Sequence, residues 1–389
     1  MKRTIQFMLM LVIVAGIFTS CEKDDTDFSA YTDKTSDDSS DGQDGTATST
    51  NDTIFIVYNG TSVSVTGDAN GYVNVKGADV TVNDPMSADQ AADMVLVLSG
   101  STTDGSLNVY RQKMFTIVLN GVSIHNNDGP AINNQCSKAL HVVCADGTTN
   151  HLTDGTVYAI QTYDQKGTLF SEGQVYFSGE GTLYVTGNYK NAIASDDYIT
   201  IDGTVAINAI STAGNGIKAN DGVFINGGIL NIDVTADAAR GINCDSVTVI
   251  TGGDITISTS GNCVYDTEEK DYSSAACIKS DGKFTMSGGT LNMISTGDGG
   301  KGINCDADIE FTGGTLVAKT TGDNNDAKPK AIKSETAIIV SGGSFSAKVE
   351  KSWACDNGTD SEDPLDHLTV KGTPTTCKIE KKSVVVKYE

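Results

Sequence analysis

Six isoleucines, Ile193, Ile217, Ile242, Ile278, Ile303 and Ile332, follow one another at steps of 24 to 36 residues, and each stands ten residues before a glycine. In five of the six frames that glycine is doubled, as in Gly313-Gly314. The first frame has Gly203-Thr204, and Leu169 with Gly179 fits the same spacing. Inside a frame, apolar and polar side chains alternate. Ile303 and Cys305 face one way and Asn304 and Asp306 the other; Ile309 with Phe311 and Leu316 with Ala318 repeat the pattern. A period of two, broken at glycine, specifies strands rather than helix. A self-similar unit of this length buries its apolar edge by stacking on its neighbours. The expected fold is all-β: a right-handed parallel β-helix of about a dozen coils, with an irregular N-terminal cap and C-terminal capping strands.

Stacking in register turns each repeat position into a column. The isoleucines and the small residues two places on (Ser195, Ala219, Cys244, Ser280, Cys305, Ser334) point inward. Two rows point outward. The first is Ala194, Lys218, Asn243, Lys279, Asn304, Lys333. The second is Asp196, Asn220, Asp245, Asp281, Asp306, Glu335, with Asp197 and Asp221 just after it. Carboxylates stacked at the ~4.8 Å strand spacing repel one another, and the chain already carries a formal net charge of −23. Either the neighbouring lysines neutralise the row or calcium does, since calcium takes oxygen ligands in loose geometry. Asp196, Asp197, Asp221, Asp245, Asp281 and Asp306 are therefore the expected calcium ligands, with loop acids Asp237, Asp298 and Asp323 able to complete such sites. Lys218, Asn243, Lys279, Asn304 and Lys333 are the expected substrate contacts. The plainer alternative is a polar ladder in which each Asp caps a turn by bonding backbone amides.

The ends of the chain differ from this pattern. The sequence opens Met-Lys-Arg, runs apolar from Phe7 to Phe18 and reaches Ser20-Cys21. A basic start, an apolar stretch too short to span a bilayer and small residues before a Cys resemble a bacterial lipoprotein signal over residues 1–20, with Cys21 acylated. Glu22-Lys23-Asp24-Asp25 resembles the surface-export signal of Bacteroidetes lipoproteins. The expected location is thus the outer membrane, exposed at the cell surface. Residues 21–51 are too polar to fold and read as a tether. The folded domain spans residues 52–389, with irregular strands to about Lys166 and room for one short helix at Ser87 to Met94. Beyond Ser352 the repeat gives way to a loop, Trp353 to Asp366, and two capping strands, Leu368 to Lys371 and Ser383 to Lys387.

Two longer insertions fall at one corner, Thr259 to Ala276 and Thr321 to Lys330, which points to loops on one side, often the binding side of such repeats. An excess of 50 Asp+Glu over 27 Lys+Arg disfavours nucleic acid and anionic membrane surfaces as partners. A monomer is expected, held to the membrane only through Cys21. Cys244 and Cys305 read as buried small residues too far apart to bridge. Cys263 with Cys277, Cys355 with Cys377, and Cys136 with Cys144 are candidate staples. Gly297-Asp298-Gly299-Gly300-Lys301-Gly302 matches a dinucleotide fingerprint in form, but a strand follows where a helix should open.

The repeat Gly-Ile-Asn/Lys-x-Asp-x(6)-Gly-Gly-x-Leu, the stretch Val118-Leu119-Asn120-Gly121-Val122-Ser123-Ile124 and the stretch Gly147-Thr148-Thr149-Asn150-His151-Leu152-Thr153-Asp154-Gly155 occur together. In these the chain resembles, over roughly Asp52 to Ser352, the carbohydrate-binding right-handed β-helix family of bacterial surface proteins first described in cellulolytic clostridia. The resemblance implies a calcium-binding β-helix that binds plant polysaccharide, acidic pectic chains or cellulose, with no established catalysis. The architecture is also similar to that of pectate lyases, some of which use a Lys base beside a calcium cluster. The chain departs from the pattern in Cys244, Cys277 and Cys305, and in Asn where a more regular repeat keeps Lys.

Three functions compete. The first is non-catalytic, calcium-assisted binding of a polysaccharide, calcium bridging protein and glycan carboxylates. The second is a calcium-dependent polysaccharide lyase with Lys218, Lys279 or Lys333 as base, although a lysine flanked by carboxylates keeps its proton and is a poorer base. The third is an adhesin or structural stalk whose rows are ladders only.

Overall fold

The computed structural model describes residues 52–389; the signal segment, Cys21 and the tether lie outside the described residues. The domain is all-β, a parallel solenoid of about 11 turns. A regular coil has three strands, such as Lys301–Cys305, Ile309–Phe311 and Thr315–Thr320. The first strands of successive coils build a 12-stranded sheet, the repeat sheet. The second and third strands build the other two walls. These join into one 23-stranded sheet, because the long strands Met94–Thr102 and Phe115–Asn126 run through both.

The register is the one the repeat dictates. Leu169, Ile193, Ile217, Ile242, Ile278, Ile303 and Ile332 pair in sequence along the repeat sheet, all fully buried. Ser195, Ala219, Cys244, Ser280, Cys305 and Ser334 form the second inward column. Phe284, Ile309 and Ile338 face them from the second wall, and Leu291, Leu316 and Phe345 from the third.

The doubled glycines have two separate causes. A Cβ on the first member would strike the carbonyl of the coil before it: 2.4 Å from Ser287 O at Gly313, 2.1 Å from Thr312 O at Gly342. The second member takes a left-handed backbone, φ +83° at Gly314 and +64° at Gly343, which a side chain resists. Asx ladders satisfy turn amides at the insertion corner. The Asn262 amide donates to Asp237 Oδ1 (2.7 Å), Asp298 to Asn262 Oδ1 (3.0 Å) and Asn325 to Asp298 Oδ1 (3.2 Å).

Several expectations need correction. Ser87 to Met94 holds a turn and no helix. The repeat does not end at Ser352: Trp353–Asp356 is the last strand of the repeat sheet, with Cys355 in the isoleucine slot opposite Ile332. The outermost C-terminal strand is Thr376–Glu380, antiparallel to Ser383–Lys387, which itself caps Ser344–Val349. None of the proposed staples forms. All eight described cysteines are free, and Cys277 is buried with its thiol against Ile294 O at 3.4 Å. The N-terminal edge is irregular as expected, closed by the antiparallel pairings of Asp52–Asn59 with Ser62–Thr66 and of Val73–Lys76 with Asp79–Asn83.

Candidate functional site

The outer face of the repeat sheet carries the first outward row in strict register: Ala194, Lys218, Asn243, Lys279, Asn304 and Lys333. The acids of the second row follow at the strand ends, and every one of them meets a lysine. Lys279 Nζ lies 2.6 Å from both Asp281 and Asp306. Lys218 pairs with Asp245, Lys333 with Glu335, and Lys166, from an earlier coil, with Asp196. Asp197 is used locally, accepting from the Tyr198 amide (2.9 Å) and the Gln174 side chain, whereas Asp221 is exposed. Within the expected ligand set, among the described residues, only Asp196 belongs to a group of three carboxylates whose oxygens lie within 4.8 Å of one another, with Asp164 and Glu172. There burial and the Asp196 charge push the Glu172 carboxyl above its usual range.

Two clefts interrupt this face. The first, of about 490 Å³, is lined by Lys166, Tyr189, Lys190, Asp196 and Lys218. Tyr189 is 40% exposed, its ring 4.8 Å from that of Tyr158, with the Lys190 ammonium 5.9 Å from its centroid. The second, of about 620 Å³, lies over the coils of Ile242, Ile278, Ile303 and Ile332. Its wall is the insertion, folded as an antiparallel hairpin of Val264–Asp266 and Asp271–Ser273. Tyr272 OH donates to Asp326 Oδ1 (3.1 Å) and ties that hairpin to the other insertion. From Ala194 to Asn304 the register takes four strand steps, so the two clefts lie roughly 19 Å apart along one straight face.

The floor of the second cleft holds Arg240, Lys301 and Lys330, and its wall carries Asp266, Glu269, Asp271 and Asp326. Arg240 is half-buried; one of its nitrogens donates to Ser273 Oγ (2.8 Å), and its buried Nε has no partner among the described residues. Lys301 is 8% exposed and donates to Ser274 Oγ and to Gly299 O (3.1 Å), both neutral. Burial first, then the charges of Lys333 and Lys330, push its pKa down to about 8. Lys330 is buried too, but Asp356 pairs with it. Asn304 Oδ1 is buried and unbonded.

A family model described as "Carbohydrate-binding domain-containing protein" matches residues 76–246 and 231–327, which together cover most of the solenoid. The chain belongs to that family. It is 30% identical over 160 residues to a carbohydrate-binding domain-containing protein of Acetivibrio thermocellus, a match covering 36% of this chain and 55% of that protein. The chain thus spans about half the length of the curated relative it matches. A solved structure of the polysaccharide lyase-like protein from C. thermocellum, a gadolinium derivative, superposes with a TM-score of 0.52 at 25% identity, covering 67% of this chain and 97% of that one.

For this carbohydrate-binding domain the sequence reading missed Tyr189, Tyr272, Arg240, Lys301 and Lys330. The last three share one position, two residues before the repeat isoleucine, which places Arg240, Lys301 and Lys330 in one column with Asn191. That position shares the inward parity of the isoleucine and so was not read as surface. At the strand edge, however, a long side chain turns out beneath the insertions. A change from Asn191 and Asn215 to Arg240, Lys301 and Lys330 was the available signal.

Proposed function

We propose that the outer face of the repeat sheet binds a linear polysaccharide, acidic and of the pectic type, at the bacterial cell surface. The observation that carries this reading is the pair of tyrosine-flanked, lysine-rich clefts on one straight face. An extended glycan can follow the coils, with sugar rings against Tyr189 and Tyr272 and polar groups on Lys218, Asn243, Lys279, Asn304 and Lys333. Family membership and the carbohydrate-binding relative support the ligand class. Calcium assistance belongs to the same proposal. Asp164, Glu172 and Asp196 offer the oxygen-only donor set that calcium takes, and Asp281 with Asp306 shares a single lysine. Anchoring through an acylated Cys21 completes it, and replacing Cys21 with Ala is expected to release the protein from membranes.

The test is a panel of neutral and uronate-containing polysaccharides, each presented with calcium and with chelator. Binding of an acidic glycan that weakens at least tenfold in Tyr189→Ala and in Tyr272→Ala supports the reading. A protein that retains no glycan under either condition would be a structural stalk.

A further inference from the structure

We propose that the third wall of the solenoid is a contact face between two copies of this chain, packed in opposite directions about a two-fold axis. The repeat sheet takes no part in the contact, so the proposal stands or falls apart from the glycan reading.

The first observation is where apolar surface is left over. From Gly167 to Val349, outside the two insertions, the large apolar side chains exposed on strands are Tyr184, Ile210, Ile229, Ile294 and Val317. All five stand on the third wall. Scattered singly such residues need no partner, but five on one face across six neighbouring strands call for one. The polar groups among them are engaged with one another. Asn231 donates to Asn208 Oδ1 (3.1 Å) and Ser258 to Asp233 Oδ1 (2.5 Å). The His151 and Tyr184 rings stack at 4.9 Å and 11°, each covering a face of the other. Little is left to read the hydroxyls of a sugar, whereas the aliphatic side chains suit a second apolar surface.

Charge and size point to a second copy. Two molecules carrying −23 each repel at their acidic surfaces. The third wall avoids this. It runs in register from Thr149–Asp154 to Ser344–Val349 and continues into the capping strands Ser383–Lys387 and Thr376–Glu380. Its outward positions carry three acids, Asp233, Asp254 and Glu380, against four lysines. Nine strand steps of ~4.8 Å and strands of up to six residues at ~3.3 Å give roughly 850 Å² a side, close to the ~800 Å² per partner of a standard interface.

The pattern is self-complementary, as an isologous contact requires. A two-fold axis along the strands, between Asp254–Thr259 and Thr290–Ser295, lays Thr149–Asp154 against the partner's Thr376–Glu380 and overlaps the whole wall. It sets Asp233 opposite the partner's Lys319, Tyr184 opposite the partner's Val385 and Ile294 opposite the partner's Ser258. No charge meets its like in this arrangement.

The test measures the mass of the full chain in solution across a dilution series, with Cys21→Ala so that no lipid contributes to association. A dimer is expected. Ile229→Asp with Ile294→Asp is expected to raise its dissociation constant at least about a hundredfold. The circular dichroism spectrum should not change, since both side chains are exposed in a single copy. Asp233→Cys with Lys319→Cys, in a Cys377→Ser background that removes the exposed thiol, is expected to form a disulfide between copies on oxidation. Within one chain the two positions are three strand steps apart, about 14 Å, too far to bridge. Neither single variant is expected to cross-link. A single-chain mass throughout the series would overturn the proposal. A dimer that survives the Asp pair uses another surface and would equally overturn it, as would a Cys pair that cross-links no better than its single variants. If the Asp pair fails to fold, the Cys pair decides alone.

Discussion

Replacing Lys301 by Met should make the protein more stable at neutral pH, and the gain should disappear in alkali. Burial and the charges of Lys333 and Lys330 lower the lysine pKa from 10.5 to about 8. At about 1.4 kcal/mol per pH unit, a drop of this size means that holding the charge in the folded state costs roughly 3 kcal/mol. Below pH 8 both the folded and the unfolded lysine are protonated, and the full penalty is present. Between pH 8 and 10.5 the unfolded chain holds more protons than the folded one, so stability rises with pH through this window. Above 10.5 both forms are neutral and the penalty is gone. Met has a similar reach and no charge, so it removes the penalty while filling the space. Lys301→Met is therefore expected to exceed the wild type by up to roughly 3 kcal/mol at pH 7, with the gap closing by about pH 10.5. Urea unfolding of both proteins, followed by circular dichroism at half-unit pH steps from 7 to 10.5, reads this directly. Titrations common to both proteins cancel in the difference. A gap that stays constant across the range would show that Lys301 titrates normally, and the electrostatic account of the cleft would fail with it.

Calcium at a hundred times its dissociation constant should stabilise the wild type by about 2.7 kcal/mol; a melting midpoint indifferent to calcium and chelator would leave the acidic row as a ladder balanced by lysines, and a shift that survives Asp281→Ala with Asp306→Ala would place the ion elsewhere. Gly322→Ala puts a Cβ 1.7 Å from the Gly297 carbonyl and should cost on the order of 3 kcal/mol or prevent folding; Gly60→Ala, with open space but φ +71°, should cost about 1 kcal/mol, and equal effects in urea melts would contradict the close-packing argument. Ile303→Ala empties a fully buried slot between Ile278 and Ile332 and should lose about 2–5 kcal/mol by the same measurement.

The solenoid was legible because one repeat position maps to one column. Once Ile193 through Ile332 are aligned, the inward small residues and the outward lysines follow, and the structure pairs them in that order. Legibility fails where the repeat stops constraining the chain. Trp353–Asp356 lacks the Ile-x-small signature, since Cys355 stands in the isoleucine slot, so its strand was read as loop. The hairpin inside Thr259 to Ala276 is held by its own antiparallel pairing and leaves no trace in the period of the coils. The outward rows follow from the register, but sequence leaves open whether lysine or calcium meets the acids, because that depends on side-chain reach rather than spacing; Lys279 lies against both Asp281 and Asp306. Arg240, Lys301 and Lys330 were overlooked because alternation assigns them inward, and only the overlying insertions show that they face a cleft.

The position of that cleft follows from how a solenoid distributes its costs. At the column two residues before the isoleucine, Asn215 donates to Asn191 Oδ1 at 3.0 Å and the Arg240 amide donates to Asn215 Oδ1 at 2.9 Å. The ladder ends there, and the column continues as Ala276, Lys301 and Lys330, beneath the two insertions. Buried cations replace a satisfied ladder at the place where the chain has built a wall over the sheet. In a small globular core such a substitution would threaten the whole fold. In a solenoid, stability is close to a sum over coils and their interfaces, so the fully paired isoleucine columns on either side can carry a locally unfavourable one. The surrounding protein is strongly acidic, but beyond about 8 Å at physiological salt its repulsion of an anionic chain is screened, whereas Arg240 and Lys301 act at contact distance. In that cleft Arg240, Lys301 and Lys330 lie on the floor and Asp266, Glu269, Asp271 and Asp326 on the wall, so charge there is mixed at contact distance whatever the −23 net charge of the whole chain.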